Sequence, residues 1–255
     1  MRIERSFVST PTGSKVAVHF VGDGERPVFV VGGASGSGVV REPLVAILAR
    51  SGARCILMDI AASGQSRHSG VLSIDTWLQD AEHVFGQYVG ERAVWVGLSL
   101  GAWLMILLHR RHPGWFSNMC GLAPAFDWDR SYVIPALQQG RLTTANGVVL
   151  WNSLPLVSTE LVTSMERHHV VGAPTQLEAP LHVIFGGKDD VAPPALVEQF
   201  LSTATGARCT SDYVAEGDHG IAKLSPAAVA DRFERWLACA LLCGQGPVSQ
   251  VFSSP

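Results

Sequence analysis

Short apolar runs alternate regularly with helix-like stretches along this chain. Several of the runs are apolar almost throughout, which is typical of strands that are covered on both faces of a parallel sheet. The runs occupy residues 15–21, 28–31, 54–59, 93–97, 119–122, 181–186 and 209–214. The helix-like stretches occupy residues 39–50, 73–88, 99–111, 194–203 and 226–242. The pattern predicts an α/β fold with a mostly parallel, doubly wound sheet flanked by helices.

The alternation is interrupted between residues 125 and 179. No convincing strand is visible there, and Pro and Gly residues break the interval into short helix-like pieces. It is too long for an ordinary connection and too apolar for a disordered linker, so we expect a small helical cap inserted after the sixth strand. Residues 1–124 and 180–243 then form the core, and residues 244–255, rich in Ser, Gly and Pro, form a flexible tail.

Composition argues against several classes of function. The 255 residues are 47% hydrophobic with a net charge of −3, and no run of one sign suggests nucleic-acid binding. No apolar stretch reaches the ~20 residues of a membrane span and no signal peptide is visible, so we expect a cytoplasmic protein. Five cysteines are an odd number and metal-ligand spacings are absent, so no disulfide, metal or cofactor is predicted. A homodimer is compatible with this composition.

A Gly-Leu-Ser-Leu-Gly segment at residues 97–101 joins a predicted strand to an apolar helix. In this context a sharp turn holds the serine hydroxyl clear of the sheet, which makes Ser99 the candidate nucleophile. The start of the helix offers N–H groups that favour negative charge on a bound carbonyl oxygen. The alternative is that Gly97 and Gly101 only permit tight packing and that Ser99 caps the helix.

A serine nucleophile needs a base, and the base needs an orienting carboxylate. Asp189 follows the predicted strand at 181–186, and His219 follows the one at 209–214. The order Ser99, Asp189, His219 along the chain is one known from a large class of serine enzymes.

Other carboxylates remain as alternatives to Asp189. Asp190 is adjacent, although the spacing to Val191 and Pro193 resembles that of the same class of enzymes when Asp189 is the acid. Asp127 and Asp129, just after the sixth strand, rank third. Asp218 precedes His219 and is expected to shape its turn.

These segments resemble the α/β-hydrolase superfamily over residues 16–237. The resemblance includes the serine turn, the Gly-x-x-Asp-x-Val-Ala-Pro loop at 186–193, the Gly-Asp-His turn at 217–219 and an Asp-x-x-Gly-x-Gly-x-Ser-like loop at 59–66. The surroundings of Ser99, the acid loop and the pair His168-His169 are similar to the mitochondrial depalmitoylase and acyl-glucuronide esterase group. Membership would imply hydrolysis of an ester or thioester through an acyl-enzyme.

The resemblance also implies an oxyanion hole in the loop after the third strand. That loop is glycine-rich, and Gly32 stands where the family commonly has a histidine. By position the donors are the backbone N–H groups of Ala34 and Leu100. The competing interpretation is phosphate binding, but the loop lacks the third glycine of Gly-x-Gly-x-x-Gly, and no Gly-Lys-Ser/Thr follows Gly33.

Residues of this loop and of the cap are the candidates for substrate contact. They are Gly33, Ser35, Trp128, Trp151, His168 and His169. The aromatic residues equally suit the core of the cap itself. An apolar cap favours an uncharged or acyl-chain substrate. Two rival functions use the same fold: a non-hydrolytic acyltransferase, cyclase or lyase, and a non-catalytic small-molecule receptor.

Overall fold

The computed structural model describes residues 3–34, 38–151 and 154–242, without the side chains of 150–151 and 154–156. Its strands and helices, in chain order, are β1 (Glu4–Ser9), β2 (Ser14–Val21), β3 (Pro27–Val31), α1 (Leu44–Arg50), β4 (Arg54–Met58), β5 (Arg67–His68), α2 (Ile74–Tyr88), β6 (Ala93–Leu98), α3 (Leu100–Arg111), β7 (Phe116–Leu122), α4 (Ile134–Gln138), β8 (Thr143–Ala145), β9 (Val148–Trp151), β10 (Leu154–Ser158), α5 (Thr159–Met165), β11 (Thr175–Leu177), β12 (Leu181–Gly186), α6 (Pro194–Thr203), β13 (Ala204–Gly206), β14 (Cys209–Val214) and α7 (Ala227–Leu242). Short turns of other helix types lie at Pro113–Trp115, Asp129–Val133, Glu166–His168 and His219–Lys223.

The large sheet has the strand order β1-β2-β4-β3-β6-β7-β12-β14, with β5 paired to β2. Pairing is antiparallel among β1, β2 and β4 and parallel from β4 to β14. The predicted α/β fold with a mostly parallel sheet is therefore confirmed. Because β3, β6, β12 and β14 run in the same direction, the loops at their carboxyl ends meet along one edge of the sheet.

Helices cover both faces of this sheet, and alternate strand residues face the two layers. Phe29 and Val31 of β3 pack in the cluster that contains α2, α3 and α6. Val28 and Val30 of the same strand pack in the cluster that contains α1 and α7. The alternation explains why the strand is apolar throughout, since neither face meets water.

The prediction that residues 125–179 contain only helical pieces is wrong. β8, β9 and β10 form a small antiparallel sheet, and β11 pairs with β13. Asn146 and Gly147 adopt φ values of 50° and 73° between β8 and β9. An Asn-Gly pair with two positive φ angles is the favoured two-residue hairpin turn, so this glycine marks a hairpin rather than the end of a helix. The boundaries of the cap stay a prediction.

β1 was not among the predicted strands. Its sequence is largely polar and it lies at the edge of the sheet, paired only with β2 among the described strands, so it lacks the apolar signature of the central strands. The expected tail, residues 244–255, lies outside the described residues. No helix in the described ranges combines the length and the apolar character needed to cross a membrane.

Candidate active site

The turn between β6 and α3 holds Ser99 in a conformation that few residues other than glycine adopt. Its φ is 54° and its ψ is −118°. Such strain costs about 1–3 kcal/mol and persists only where the surroundings impose it. The Ser99 N–H donates to the carbonyl of Leu122 at 2.9 Å, and its own carbonyl accepts from the N–H groups of Ala102 at 3.0 Å and Ala125 at 3.2 Å. These hydrogen bonds fix the turn at the carboxyl edge of the sheet.

The two glycines beside Ser99 allow the strand and the helix to approach closely. A Cβ at Gly101 would lie 2.2 Å from the carbonyl oxygen of Val31, and one at Gly97 would lie 2.3 Å from the Cα of Ala102. Both contacts are far inside van der Waals distance, so only glycine fits. Within the described part of the chain, the Ser99 side chain makes no capping hydrogen bond to α3, which disfavours the alternative that it only caps this helix.

The structure brings Ser99, His219 and Asp189 together. Ser99 Oγ lies 3.0 Å from His219 Nε2. His219 Nδ1 lies 2.9 Å from Asp189 Oδ2 and 3.1 Å from Oδ1. The three groups thus form a continuous chain of hydrogen bonds from hydroxyl to imidazole to carboxylate, the arrangement in which an imidazole can accept a proton from a serine.

Burial and hydrogen bonding distinguish Asp189 from its neighbour Asp190. The Asp189 side chain is only 1% exposed, whereas Asp190 is exposed to solvent. Asp189 Oδ1 accepts hydrogen bonds from the N–H groups of Val191 at 3.0 Å and Ala192 at 2.8 Å. The carboxylate is therefore held in one orientation, with Oδ2 directed to His219.

Backbone contacts join the loops of the acid and the histidine. Lys188 donates its N–H to the carbonyl of Gly217 at 2.8 Å, and Gly187 donates to the carbonyl of Val214 at 2.9 Å. Asp218 caps the short helix that begins at His219 by accepting from the N–H of Gly220. It thereby shapes the turn, as the sequence suggests.

The third-ranked carboxylates face the end of the cap instead of His219. Asp127 accepts from the N–H groups of Val170 at 2.7 Å and Val171 at 3.1 Å. Burial raises the pKa of Asp127, although these hydrogen bonds oppose the change. Asp129 is hydrogen-bonded to His169, with 2.8 Å between Oδ2 and Nε2. Both aspartates thus connect the segment that follows β7 to residues 169–171.

The predicted substrate contacts of the cap are engaged elsewhere. His168 Nε2 lies 3.2 Å from Oδ2 of Asp75 on α2, and its carbonyl accepts from the indole N–H of Trp103 at 3.0 Å. Trp128 is 6% exposed and stacks on Tyr132, with 5.9 Å between ring centroids. The contacts of His168 join the interval 125–179 to α2 and α3, and those of Trp128 and His169 lie within that interval.

Two further candidates, Ser35 and Trp151, lie wholly or partly outside the described residues. Ser35 lies outside the described residues, and Trp151 ends β9 with a side chain that is outside them as well.

The loop after β3 lies directly against the serine turn. A Cβ at Gly33 would lie 3.0 Å from the Cβ of Ser99 and 2.8 Å from the carbonyl oxygen of Leu98. Ala34 follows Gly33, and Leu100 is the first residue of α3, where N–H groups have no partner earlier in the helix. The predicted oxyanion donors thus belong to two segments that adjoin Ser99, and their role stays a prediction.

A cleft of about 490 Å³ opens beside Ala34. Aliphatic and aromatic side chains form much of its wall, among them Ala61, Leu72, Trp77 and Leu161. Sequence reasoning missed these residues, because they come from two loops and two helices that only the fold brings together. The 59–66 loop resembles a family motif, but that motif indicates the fold and does not indicate which residues line the site.

Within the described ranges, no three His, Cys, Asp or Glu side chains are grouped closely enough to hold a metal ion.

Comparisons with known proteins agree with this fold. The hydrolase family model described as serine aminopeptidase, S33, matches residues 25–171. No curated protein matches the sequence. The fold is similar to that of the alpha/beta hydrolase domain-containing protein 10 from mouse, with 18% identity, a TM-score of 0.71, and coverage of 93% of this chain and 96% of that one. The carboxylesterase CesB (YbfK) from Bacillus subtilis is 19% identical, with a TM-score of 0.65 and coverage of 96% of this chain and 93% of that one. The thioesterase domain from the curacin biosynthetic pathway is 18% identical, with a TM-score of 0.63 and coverage of 91% of this chain and 99% of that one.

Proposed function

Because the chain belongs to the α/β-hydrolase superfamily, in the hydrolase family described as serine aminopeptidase, S33, we propose that it is a serine hydrolase that cleaves a carboxylic ester or thioester. The observation that carries this proposal is the unbroken chain of hydrogen bonds from Ser99 through His219 to Asp189. A hydroxyl becomes a useful nucleophile at neutral pH only when such a base is in contact with it.

The proposed reaction has two halves. His219 Nε2 takes the proton of Ser99 as Oγ attacks the substrate carbonyl, while Asp189 accepts from Nδ1–H and so keeps the free lone pair on Nε2. The N–H groups of Ala34 and Leu100 stabilise the oxyanion. The leaving alcohol or thiol receives the proton from His219, and an acyl-enzyme remains. Water then gives a proton to His219 as its oxygen attacks the acyl carbon. The bond from this carbon to Ser99 Oγ breaks, Oγ takes the proton back from His219, and the acid is released.

The cleft beside Ala34 supplies the space for an apolar acyl chain. Its volume of about 490 Å³ lies within the range of small-molecule sites, which is about 300–1,000 Å³. Leu72 and Leu161 are part of its wall, and replacing Leu72 with Trp would fill part of it. We expect Leu72→Trp to raise KM for long acyl chains and to leave short acetyl esters little affected. Leu242→Trp, at a 74% exposed position at the end of α7, is the matched control.

The nucleophile is tested by covalent labelling and by substitution. A fluorophosphonate should add to Ser99 and to no other serine in the peptide map, and Ser99→Ala should abolish labelling. The same variant should lower kcat by a factor of about 10³ or more, because the attacking atom is removed. Ser69→Ala, which removes an exposed hydroxyl, is the control. Full esterase activity in Ser99→Ala would exclude the proposal.

Substrate class is tested with a panel of matched compounds. It contains p-nitrophenyl esters and thioesters of increasing chain length, together with aminoacyl p-nitroanilides, because the matching family model is described as a serine aminopeptidase. Turnover in ¹⁸O-labelled water should place one solvent oxygen in the released acid. An acyltransferase, cyclase or lyase would release no such labelled acid, and a receptor would bind without turnover.

A further inference from the structure

Ser63 connects the β4–β5 loop, defined here as residues 59–66, to the loop after β3. Its hydroxyl donates a hydrogen bond of 3.0 Å to the carbonyl oxygen of Gly33. Ser63 is 6% exposed, so water competes little for this hydrogen bond. Gly33 in turn lies against Ser99, since a Cβ at this glycine would be 3.0 Å from the serine Cβ.

The carbonyl of Gly33 belongs to the same peptide unit as the N–H of Ala34. Among the described residues, the cis peptide bonds lie only at Glu42-Pro43 and Ser225-Pro226, so the Gly33-Ala34 unit is trans. In a planar trans unit the C=O and the N–H point in opposite directions. A hydroxyl that fixes the carbonyl therefore also fixes the direction of the N–H.

We propose that Ser63 is a positioning residue for the oxyanion hole, acting through the Gly33-Ala34 peptide group. This inference rests on the proposed function, in which the Ala34 N–H stabilises the tetrahedral intermediate. Ser63 also lines the cleft beside Ala34, but this role is exerted through the Gly33-Ala34 peptide group and not through contact with the substrate. It holds the peptide unit so that the donor is already directed before the negative charge forms, and such preorganisation is what makes an oxyanion hole effective.

The backbone around Ser63 is itself held in place. Its N–H donates to the carbonyl of Ile60 at 3.0 Å, and its carbonyl accepts from the N–H of Ser66 at 2.9 Å. Asp59, at the start of the loop, accepts from the N–H of Val39 at 2.6 Å, further along the connection between β3 and α1. The β4–β5 loop thus contacts the connection between β3 and α1 at two points, and the contact of Ser63 is at Gly33, which lies against Ser99.

Removal of the hydroxyl leaves the Gly33 carbonyl without this donor. The peptide unit can then rotate, and the Ala34 N–H spends less time in the productive direction. Deleting an oxyanion donor outright lowers kcat by about 10²–10³-fold, so loss of its positioning should lower kcat by less, about tenfold. KM should stay unchanged, because the ground-state carbonyl depends less on this donor than the oxyanion does.

The test compares Ser63→Ala with Ser63→Thr, which keeps the hydroxyl, and with Ser69→Ala. Ser69 is a matched control because its exposed hydroxyl also donates to a glycine carbonyl, that of Gly13, at 3.3 Å. For each variant, kcat, KM and Tm are measured, together with the Ki of a trifluoromethyl ketone, whose serine adduct carries an oxyanion.

The proposal expects Ser63→Ala to raise this Ki by the same factor by which it lowers kcat/KM, with KM unchanged. Ser63→Thr should restore most of the loss, and Ser69→Ala should behave as wild type. Unchanged kcat and Ki in a folded Ser63→Ala would overturn the inference while leaving the hydrolase intact. An equal loss in Ser69→Ala, or a fall in kcat with no change in Ki, would also overturn it. If the wild-type protein neither turns over esters nor reacts with the fluorophosphonate, the proposed function fails, and this inference fails with it.

Discussion

Replacement of Asp189 by Asn should separate catalysis from stability. Asp189 Oδ1 accepts from the N–H groups of Val191 and Ala192, while Oδ2 is the oxygen nearer to His219 Nδ1. An asparagine keeps both backbone hydrogen bonds only if its carbonyl oxygen takes the place of Oδ1. Its NH₂ group then faces Nδ1. The opposite orientation would place NH₂ against two N–H donors, at a cost of about 1–3 kcal/mol for each group left unpaired.

The forced orientation of the amide fixes the wrong tautomer of the imidazole. Nδ1 must accept from the asparagine NH₂, so the ring proton lies on Nε2, 3.0 Å from Ser99 Oγ, and no lone pair remains there to take the serine proton. The same change in a known Ser-His-Asp triad lowers kcat about 10⁴-fold, which corresponds to about 5.5 kcal/mol of activation free energy. We expect a loss of this order for Asp189→Asn. Its Tm should change little, whereas Asp189→Ala should also lower the Tm, because two N–H groups lose their acceptor.

The assay is steady-state hydrolysis of a p-nitrophenyl ester at pH 7, combined with thermal unfolding. Asp190→Asn is the control, since it makes the same chemical change at the adjacent exposed position. Wild-type kcat in a folded Asp189→Asn protein would refute the reasoning. So would a larger loss of activity in Asp190→Asn, which would move the role of the acid to that residue.

Three further predictions concern packing, pH and thiol chemistry. Gly101→Ala should lower Tm and yield of folded protein, because its Cβ would lie 2.2 Å from the carbonyl oxygen of Val31. For Asp75, burial alone would raise the pKa, but hydrogen bonds and charges, led by those of His168, lower it. A lowered folded pKa means that the stabilisation is present above the ordinary value of about 3.9 and is lost as pH falls through the folded value. Asp75→Asn should therefore weaken the decrease in Tm on acidification below about pH 4, as measured by calorimetry. Burial raises the pKa of Cys55 to about 12, so this thiol should resist iodoacetamide at pH 8 in the folded protein and react after unfolding, as followed by mass spectrometry.

Patterns that are local in the sequence were sufficient to predict the central parallel sheet. The strand 28–31 is apolar throughout because both of its faces are covered, and that cause leaves a visible trace in the sequence. The Asn146-Gly147 hairpin also has a local signal, because Asn followed by Gly favours a two-residue turn, whereas a glycine alone is equally typical of the end of a helix. β1 lacks a comparable trace, since an exposed edge strand needs little apolar sequence.

The proximity of Ser99, Asp189 and His219 could be expected for a topological reason. Each follows a strand of a parallel sheet, and the carboxyl ends of such strands meet along one edge. No comparable rule of topology predicts the partners of His168. The carboxylate that His168 contacts is that of Asp75 on α2, 93 positions away, and neither residue lies in a motif that would indicate the pairing. Placing His168 in the cap was therefore not enough to predict what it contacts.

Ser63 illustrates why a positioning residue is harder to find from sequence than a catalytic one. A nucleophile or a base must have a particular side-chain chemistry, and that requirement limits the residue types to a few. A group that only holds a backbone carbonyl needs one hydrogen-bond donor at the right point in space. Many residue types meet that requirement, and the 30 positions between Gly33 and Ser63 leave no periodicity that would connect them. Only the fold, which brings the loops after β3 and β4 to the same edge beside Ser99, reveals the pair, and for that reason its role has to be tested by kinetics instead of being inferred from a motif.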